Sequence, residues 1–418
     1  MNAKFTAALS LAAVLLVGTV ISVAPATDAY AAKAKAPKMN PKVLKPLKEA
    51  LELANKNDFP AAEVELQKAE AVDNKSPFEQ FQLDELSGFV SLKQQKFNDA
   101  AKAYERGLDS GLLPPEQVND RLRLLSQIFL QTQPRNLAKS GEYGKRWLEA
   151  TGTRDPLMLG LVGQSAYFGD NFQEAADYMK EAVDLTKAAG EKPEESWLLV
   201  EQSAFSKLNN NAATVDVTMD LVRYYPRKEH WAVLLQEQLT RAANKDRQII
   251  QVFRLMDAVD AMDQADNFSE AAAVAIQRGF PGEAVHYLEK GYSSGVLENS
   301  GDKAKSKALL DEAHRLADTD RKSLPEFEKE AVAATVGEPD VKLGETYLSY
   351  DQPAKAVEAI KRGIAKGGVK NLDEAELALG RAYILTGNGP EAIKTFELVK
   401  SPDFAQLAKL WSIHASQL

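Results

Sequence analysis

Cysteine is absent from all 418 residues. That absence excludes disulfides, thiolate metal ligands and a thiol nucleophile, and it excludes an outer-membrane lipid anchor, which needs a Cys to acylate behind the signal. Histidine is scarce: His230, His286, His314 and His414 stand far apart, and none has a His or Cys three or four residues away, as a helical zinc site requires. Positive charge is in deficit, with 51 Lys and Arg against 60 Asp and Glu and a net charge of −9, which argues against nucleic acid as a partner. Only 8% of residues are aromatic, and no Gly/Ser tract interrupts the chain, yet 44% are hydrophobic, enough to build a packed core. Beyond Val23 no long hydrophobic run is left.

Motifs for chemistry are missing as well. Gly163-Gln-Ser165-Ala-Tyr167 lacks the closing Gly of a nucleophile elbow and reads as part of a helix. Gly387-Asn388-Gly389 has no GK[ST] behind it and reads as a turn between helices. Glu194-Glu195 suits a helix start, where the dipole favours acids. No catalytic, cofactor-binding or metal-binding residue is assigned, no cofactor is expected, and the chain reads as a non-enzyme.

The first apolar run, Phe5–Val23, follows Lys4 and precedes Ala29-Tyr30-Ala31, an Ala-x-Ala cleavage pattern, so residues 1–31 read as a secretory signal peptide. An uncleaved anchor is the alternative. Thr6, Ser10, Gly18, Thr19 and Ser22 dilute the run and no basic stop-transfer flank adjoins it. Residues 32–40 read as a lead-in linker, lysine-rich and without acids. The expected location is the periplasm, or the exterior if the source cell has a single membrane, with no stable membrane anchor after cleavage.

What is present is one recurring spacing. Gly88 and Ala100, Gly163 and Ala175, Gly344 and Ala356, and Gly380 and Ala392 each lie twelve residues apart. Leu343-Gly344 leads to Tyr347, Ala356 and Ile360, and Leu379-Gly380 leads to Tyr383, Ala392 and Phe396. Two antiparallel helices approach closely where a side chain is nearly absent, so the Gly of one helix and the Ala of the next are expected at their crossing. Weaker copies at Phe59 and Ala62, Trp197 and Ala213, Trp231 and Leu234, and Ala284 and Leu288 fill the gaps. Helices over 303–317 and 325–336 are expected as one further pair, with Asp302 as a cap.

This L-G-x2-Y, turn, A-x3-F pattern resembles the tetratricopeptide repeat. The resemblance implies an all-α fold: a right-handed αα-solenoid of about nine or ten helix pairs over residues 41–401. Phe404, Leu407, Leu410 and Trp411 then form the apolar side of a C-terminal capping helix over 402–418, with a dimer contact as the alternative. In the middle of the chain, Gly190-Glu-Lys-Pro193, Tyr225-Pro226 and Gly279-Phe-Pro281-Gly282 resemble exported tetratricopeptide proteins of proteobacteria, some of which are associated with systems of the TonB, ExbB and ExbD type.

The resemblance also implies a site. First helices of such repeats line a concave face that holds a peptide or a partner's helix. Mapped onto this chain, that face takes in Glu85, Phe89, Leu92 and Lys93, then Gln164, Tyr167 and Phe168, then Gln202 and Phe205, and later Glu345, Leu348, Arg381 and Ile384. The candidate partner-binding residues are Phe89, Lys93, Gln164, Tyr167, Phe168, Gln202 and Phe205. Tyr167 and Phe205 serve equally well as packing between units, and both readings stand on sequence alone. The expected function is a non-catalytic scaffold that binds a protein or peptide partner in the envelope. The alternative is a regulatory or chaperone-like subunit that senses a peptide or a cell-wall fragment. Grip on an acidic peptide tail is disfavoured, because Gln, Glu and aromatics stand where Lys, Asn and Arg would be needed.

Overall fold

The computed structural model describes residues 37–242 and 245–418. The expected signal peptide therefore lies outside the described residues, as does most of the lead-in. Every regular element among the described residues is helical, and the chain is an α-solenoid. It divides inside one helix into two compact units, residues up to Val217 and residues from Thr218. The first unit holds α1 (Pro41–Asn55), α2 (Phe59–Glu70), α3 (Pro77–Lys93), α4 (Phe97–Asp109), α5 (Pro115–Phe129), α6 (Leu137–Thr151), α7 (Pro156–Phe168), α8 (Phe172–Ala188), α9 (Glu195–Lys207) and the start of α10 (Asn211–Tyr224). The second holds the rest of α10, α11 (Lys228–Ala242), α12 (Asp246–Ala258), α13 (Ala265–Gln277), α14 (Pro281–Ser293), α15 (Lys303–Ala333), α16 (Glu338–Ser349), α17 (Pro353–Lys366), α18 (Leu372–Leu385), α19 (Gly389–Phe396) and α20 (Ala405–Ala415).

Seven of the pairs share one turn. Asn57, Gln95, Asp170, Asn209, Gly279, Asp351 and Gly387 each sit two residues before a second helix, with φ between 55° and 81°. Left-handed backbone favours Gly, Asn and Asp, which fill six of these seven places, so the connections are short because the sequence supplies residues that accept the bend. Caps then fix the helix starts. Ser76 accepts from the amide of Glu79 while the Glu79 carboxylate accepts from Ser76 N at 2.7 Å, a reciprocal capping box. Asp58, Asn171 and Asn388 each cap the helix that follows their turn.

The helix crossings depend on absent side chains. Ala100, Ala175, Ala356 and Ala392 are fully buried. The Ala lies at the crossing as expected where Ala356 O comes within 3.2 Å of a Cβ on Gly344, but the glycines make room chiefly for a further residue. A Cβ on Gly88 would lie 2.6 Å from Tyr104, on Gly344 2.3 Å from Ile360, and on Gly380 2.3 Å from Phe396. Each partner stands one turn beyond the Ala. Helical side chains lean towards the N-terminus, so a large residue four places on reaches back over the Ala and fills the notch left by the Gly. Each such buried ring or branched chain is worth about 1.5–3 kcal/mol.

Residues 303–333 correct the expected helix pair: they form one helix, with Pro325 inside it. Asp302 stands at its N-cap position without a side-chain cap bond. Asp318-Thr-Asp-Arg-Lys-Ser-Leu324 contains no Gly or Asn to make a left-handed turn, so the helix continues through the proline. Only Ser306, Leu310, Ala313, Ala317 and Ala331 of this helix are buried. No helix among the described residues is long and apolar enough to cross a membrane.

α20 packs where a cap was expected. Phe404, Leu407, Leu410 and Trp411 are all at most 5% exposed, and Trp411 stacks on Phe396 of α19 with ring centres 6.0 Å apart. It also meets the opening helices of its own unit. His414 lies edge-on to Trp231 of α11 at 6.4 Å, and Gln417 Nε2 donates to Val222 O at 2.7 Å.

Candidate partner-binding face

In the first unit the first helices of successive pairs are tied side by side. Arg121 of α5 grips Glu85 of α3 through two bonds of 2.6 Å while its guanidinium lies 4.0 Å above the Tyr104 ring. Such a bidentate pair is geometrically specific, so Glu85 is committed to the scaffold. Burial pushes the Tyr104 hydroxyl up, against the lowering effect of Arg121, and keeps the phenol neutral. Between α7 and α9 the Tyr167 and Ser203 hydroxyls share a hydrogen bond of 2.6 Å. Trp197 fills the space over Gly160, where a Cβ would meet the indole at 2.5 Å.

Phe89 is half-buried, meets Phe59 edge-on at 6.2 Å and carries the exposed Lys93 ammonium 5.6 Å from its ring centre. Gln164 is 7% exposed and Phe205 9%, so both are packed within the unit and do not present a surface. Of the two readings of Phe205, packing is therefore the one its burial supports. Tyr167 is half-buried, held by Ser203 and by edge contacts to Phe168 and Phe172. Gln202 is half-buried on α9. Phe168, by contrast, is 50% exposed.

The structure adds a residue that the sequence reading passed over. Leu157, on the same face of α7 as Phe168 and eleven residues before it, is 61% exposed. With the half-buried Leu161 between them, α7 turns an apolar stripe to solvent. α7 is apolar nearly all round, and that was the available signal: such a helix has more apolar surface than one buried face uses.

In the second unit the expected inner positions are not open. Glu345 and Leu348 are buried, the Arg381 side chain is only 11% exposed, and the half-buried Ile384 lines an apolar cleft of about 500 Å³ with Pro390, Ile393 and Leu418. Glu345 and Arg381 face a charged layer supplied by earlier helices of the same unit. Arg254 of α12 donates from Nε and Nη2 to Glu283 of α14 at 3.0 Å, and Arg381 Nη2 donates to Glu283 Oε1 at 3.1 Å. Burial works against each charge. Facing Arg254 and Arg381, Glu283 is nonetheless held below the ordinary carboxylate value, while burial pushes Glu345 above it. Sequence gave no sign of this layer, since its members lie on separate helices at no common spacing.

No His, Asp and Glu cluster that could hold a metal ion occurs among the described residues. No protein-family model matches the chain, and no curated protein matches it. Solved structures similar to it include the following three. A tetratricopeptide repeat protein from Parabacteroides merdae is 14% identical over 66% of this chain and all of its own, with a TM-score of 0.30. The C-terminal part of a tetratricopeptide repeat-containing protein from Cytophaga hutchinsonii is 15% identical over 67% of this chain and 98% of its own, with a TM-score of 0.33. A structure of Naa15/Naa10 bound to HypK-THB is 14% identical over 90% of this chain and 62% of that one, with a TM-score of 0.32.

Proposed function

We propose that the protein is a non-catalytic, exported scaffold of the cell envelope that binds a protein or peptide partner on the α7 face of its first unit. The observation that carries this reading is the pair of exposed apolar side chains Leu157 and Phe168 on one helix, with the Tyr167 ring edge-on to Phe168. Large apolar side chains clustered on a solvent face are suited to a partner's apolar anchors, and the rigid helices beneath them are already ordered, which lowers the cost of binding. Export is supported by the Lys4, apolar run and Ala29-Tyr30-Ala31 sequence. The likeness of the middle of the chain to exported proteobacterial tetratricopeptide proteins suggests an envelope machine of the TonB type as the partner.

The test is capture from a native envelope fraction by the mature protein and by a Leu157→Ser, Phe168→Ser variant. A partner retained by the first and lost by the second, with both equally stable, supports the site. Equal capture by both removes it, and a partner other than ExbB, ExbD or TonB removes the machine. N-terminal sequencing of the envelope protein is expected to begin at Ala32; an intact Met1 on membrane-bound protein would overturn export by cleavage.

A further inference from the structure

Helix-pair arrays hold mainly neighbours, so they open from their ends. The second unit is tied differently. Arg254 on α12, Glu283 at the start of α14 and Arg381 on α18 meet in one layer, and Arg254 Nη1 lies 3.7 Å from Glu345 Oε1 on α16. The Arg381 to Glu283 bond joins residues 98 apart in sequence. A second tie lies beside it, where Glu374 of α18 accepts from Arg247 of α12 and, at 3.3 Å, from Arg278 behind α13. The start of α14 is seated hard against the end of α16. Ser349 Oγ accepts from Glu283 N at 3.0 Å, and a Cβ on Gly282 would lie 2.3 Å from Ser349 O.

The layer is an expensive way to fill an interior. Arg381 Nη1 and Glu345 Oε1 are without hydrogen-bond partners. Apolar side chains would hold a permanently closed face at lower cost, because a half-satisfied charged layer carries desolvation that its bonds do not return. Such a layer is where the packed body separates most readily, since water satisfies every group it exposes.

We propose that Arg254, Glu283 and Arg381 form a latch that closes the inner faces of α16 and α18 over α12 and α14, and that the second unit opens along this seam in one step. Closed, the unit hides Glu345, Leu348 and Arg381. Open, it presents them together, so the unit behaves as a two-state body and not as a row of independently fraying pairs.

Native-state hydrogen exchange on the full chain, followed by mass spectrometry at rising sub-denaturing guanidinium, tests this directly. Segments 246–258, 281–293, 338–349 and 372–385 are expected to exchange through one shared opening that merges at one denaturant concentration. Stepwise exchange, beginning at 372–385 and reaching 246–258 last, would overturn the latch. In an Arg381→Met variant, exchange should accelerate about tenfold or more in all four segments, as expected for the loss of one buried bond to a charged group. Acceleration confined to 353–396 would also overturn it. Should Arg381→Met fail to fold, the order of exchange in the unaltered protein decides alone.

Discussion

A Cβ placed on Gly380 would lie 2.3 Å from the Phe396 ring, so α18 and α19 cross as closely as they do only because residue 380 has no side chain. The ring cannot retreat, since Trp411 is stacked on it at 6.0 Å. Gly380→Ala is therefore expected to destabilise: overpacking costs about 1–3 kcal/mol, and the helix preference of Ala returns at most about 1 kcal/mol. Urea denaturation checks it, and Phe396→Leu in the same chain should recover part of the loss. An unchanged midpoint in the single variant would show that the ring gives way.

Trp411 is 2% exposed between the last pair and the opening helices of its unit. Trp411→Ala should cost about 3–5 kcal/mol, the range for a large buried ring. Deleting 402–418 should go further and give an aggregating protein, because it uncovers both Phe396 and Trp231. A truncated chain as soluble and as heat-resistant as the full one would remove the closing role of α20.

The two buried glutamates give opposite pH behaviour. Glu345 holds its proton more tightly folded than unfolded, through burial above all, so its contribution is full below the unfolded carboxyl pKa and is lost as pH rises through the folded value. Glu283 is held below its ordinary value, with Arg254 and Arg381 outweighing burial, so its contribution is present above the unfolded pKa and is lost as pH falls through the folded value. Melting temperatures from about pH 4 to about pH 8 should show Glu345→Gln gaining on the unaltered protein as pH rises. Glu283→Gln should lose most at neutral pH, by about 3–5 kcal/mol, since it takes from the Arg254 and Arg381 guanidinium groups the carboxylate they share. Parallel pH curves for all three proteins would contradict the assignment.

Binding and packing separate on neighbouring aromatics. Phe168→Ser, at a 50% exposed site, should change stability by no more than about 0.5 kcal/mol while weakening partner capture. Phe205→Ala, at a buried site, should cost about 3–5 kcal/mol, with any loss of capture following unfolding. Tyr167→Phe removes the bond to Ser203 and should cost about 1 kcal/mol. Affinity and melting temperature measured on each variant decide the roles; capture lost in Phe205→Ala at full stability would return that ring to the surface.

Pro325 lies inside α15, where it removes one backbone donor. Pro325→Ala should therefore raise the melting temperature, gaining up to about 3 kcal/mol of helix preference. A turn at this place would instead make the change neutral or harmful.

The local rules were readable in the chain. Gly, Asn and Asp at most of the turns, Pro and Ser at helix starts, and small residues twelve apart in four pairs mark the helix pairs, because these features act over one or two helical turns and leave a period in the sequence. The face of α18 that carries Arg381 was legible as an inner face for the same reason. That it is covered was not, since Glu283 and Arg254 come to it from helices at unrelated spacings. The two candidate rings divide likewise: Tyr167 and Phe205 share a place in the repeat, but Phe205 is buried by neighbours that no period records. Residues 303–333 show the limit from the other side, since a proline suggests a break only until the absence of a turn residue outweighs it. Sequence by itself determined the helix pairs outside 303–333 and their order, which depend on backbone preferences near each residue. Only the tertiary structure decided which inner positions face solvent, because that depends on how far non-neighbouring helices approach, and distance between segments is not written in either of them.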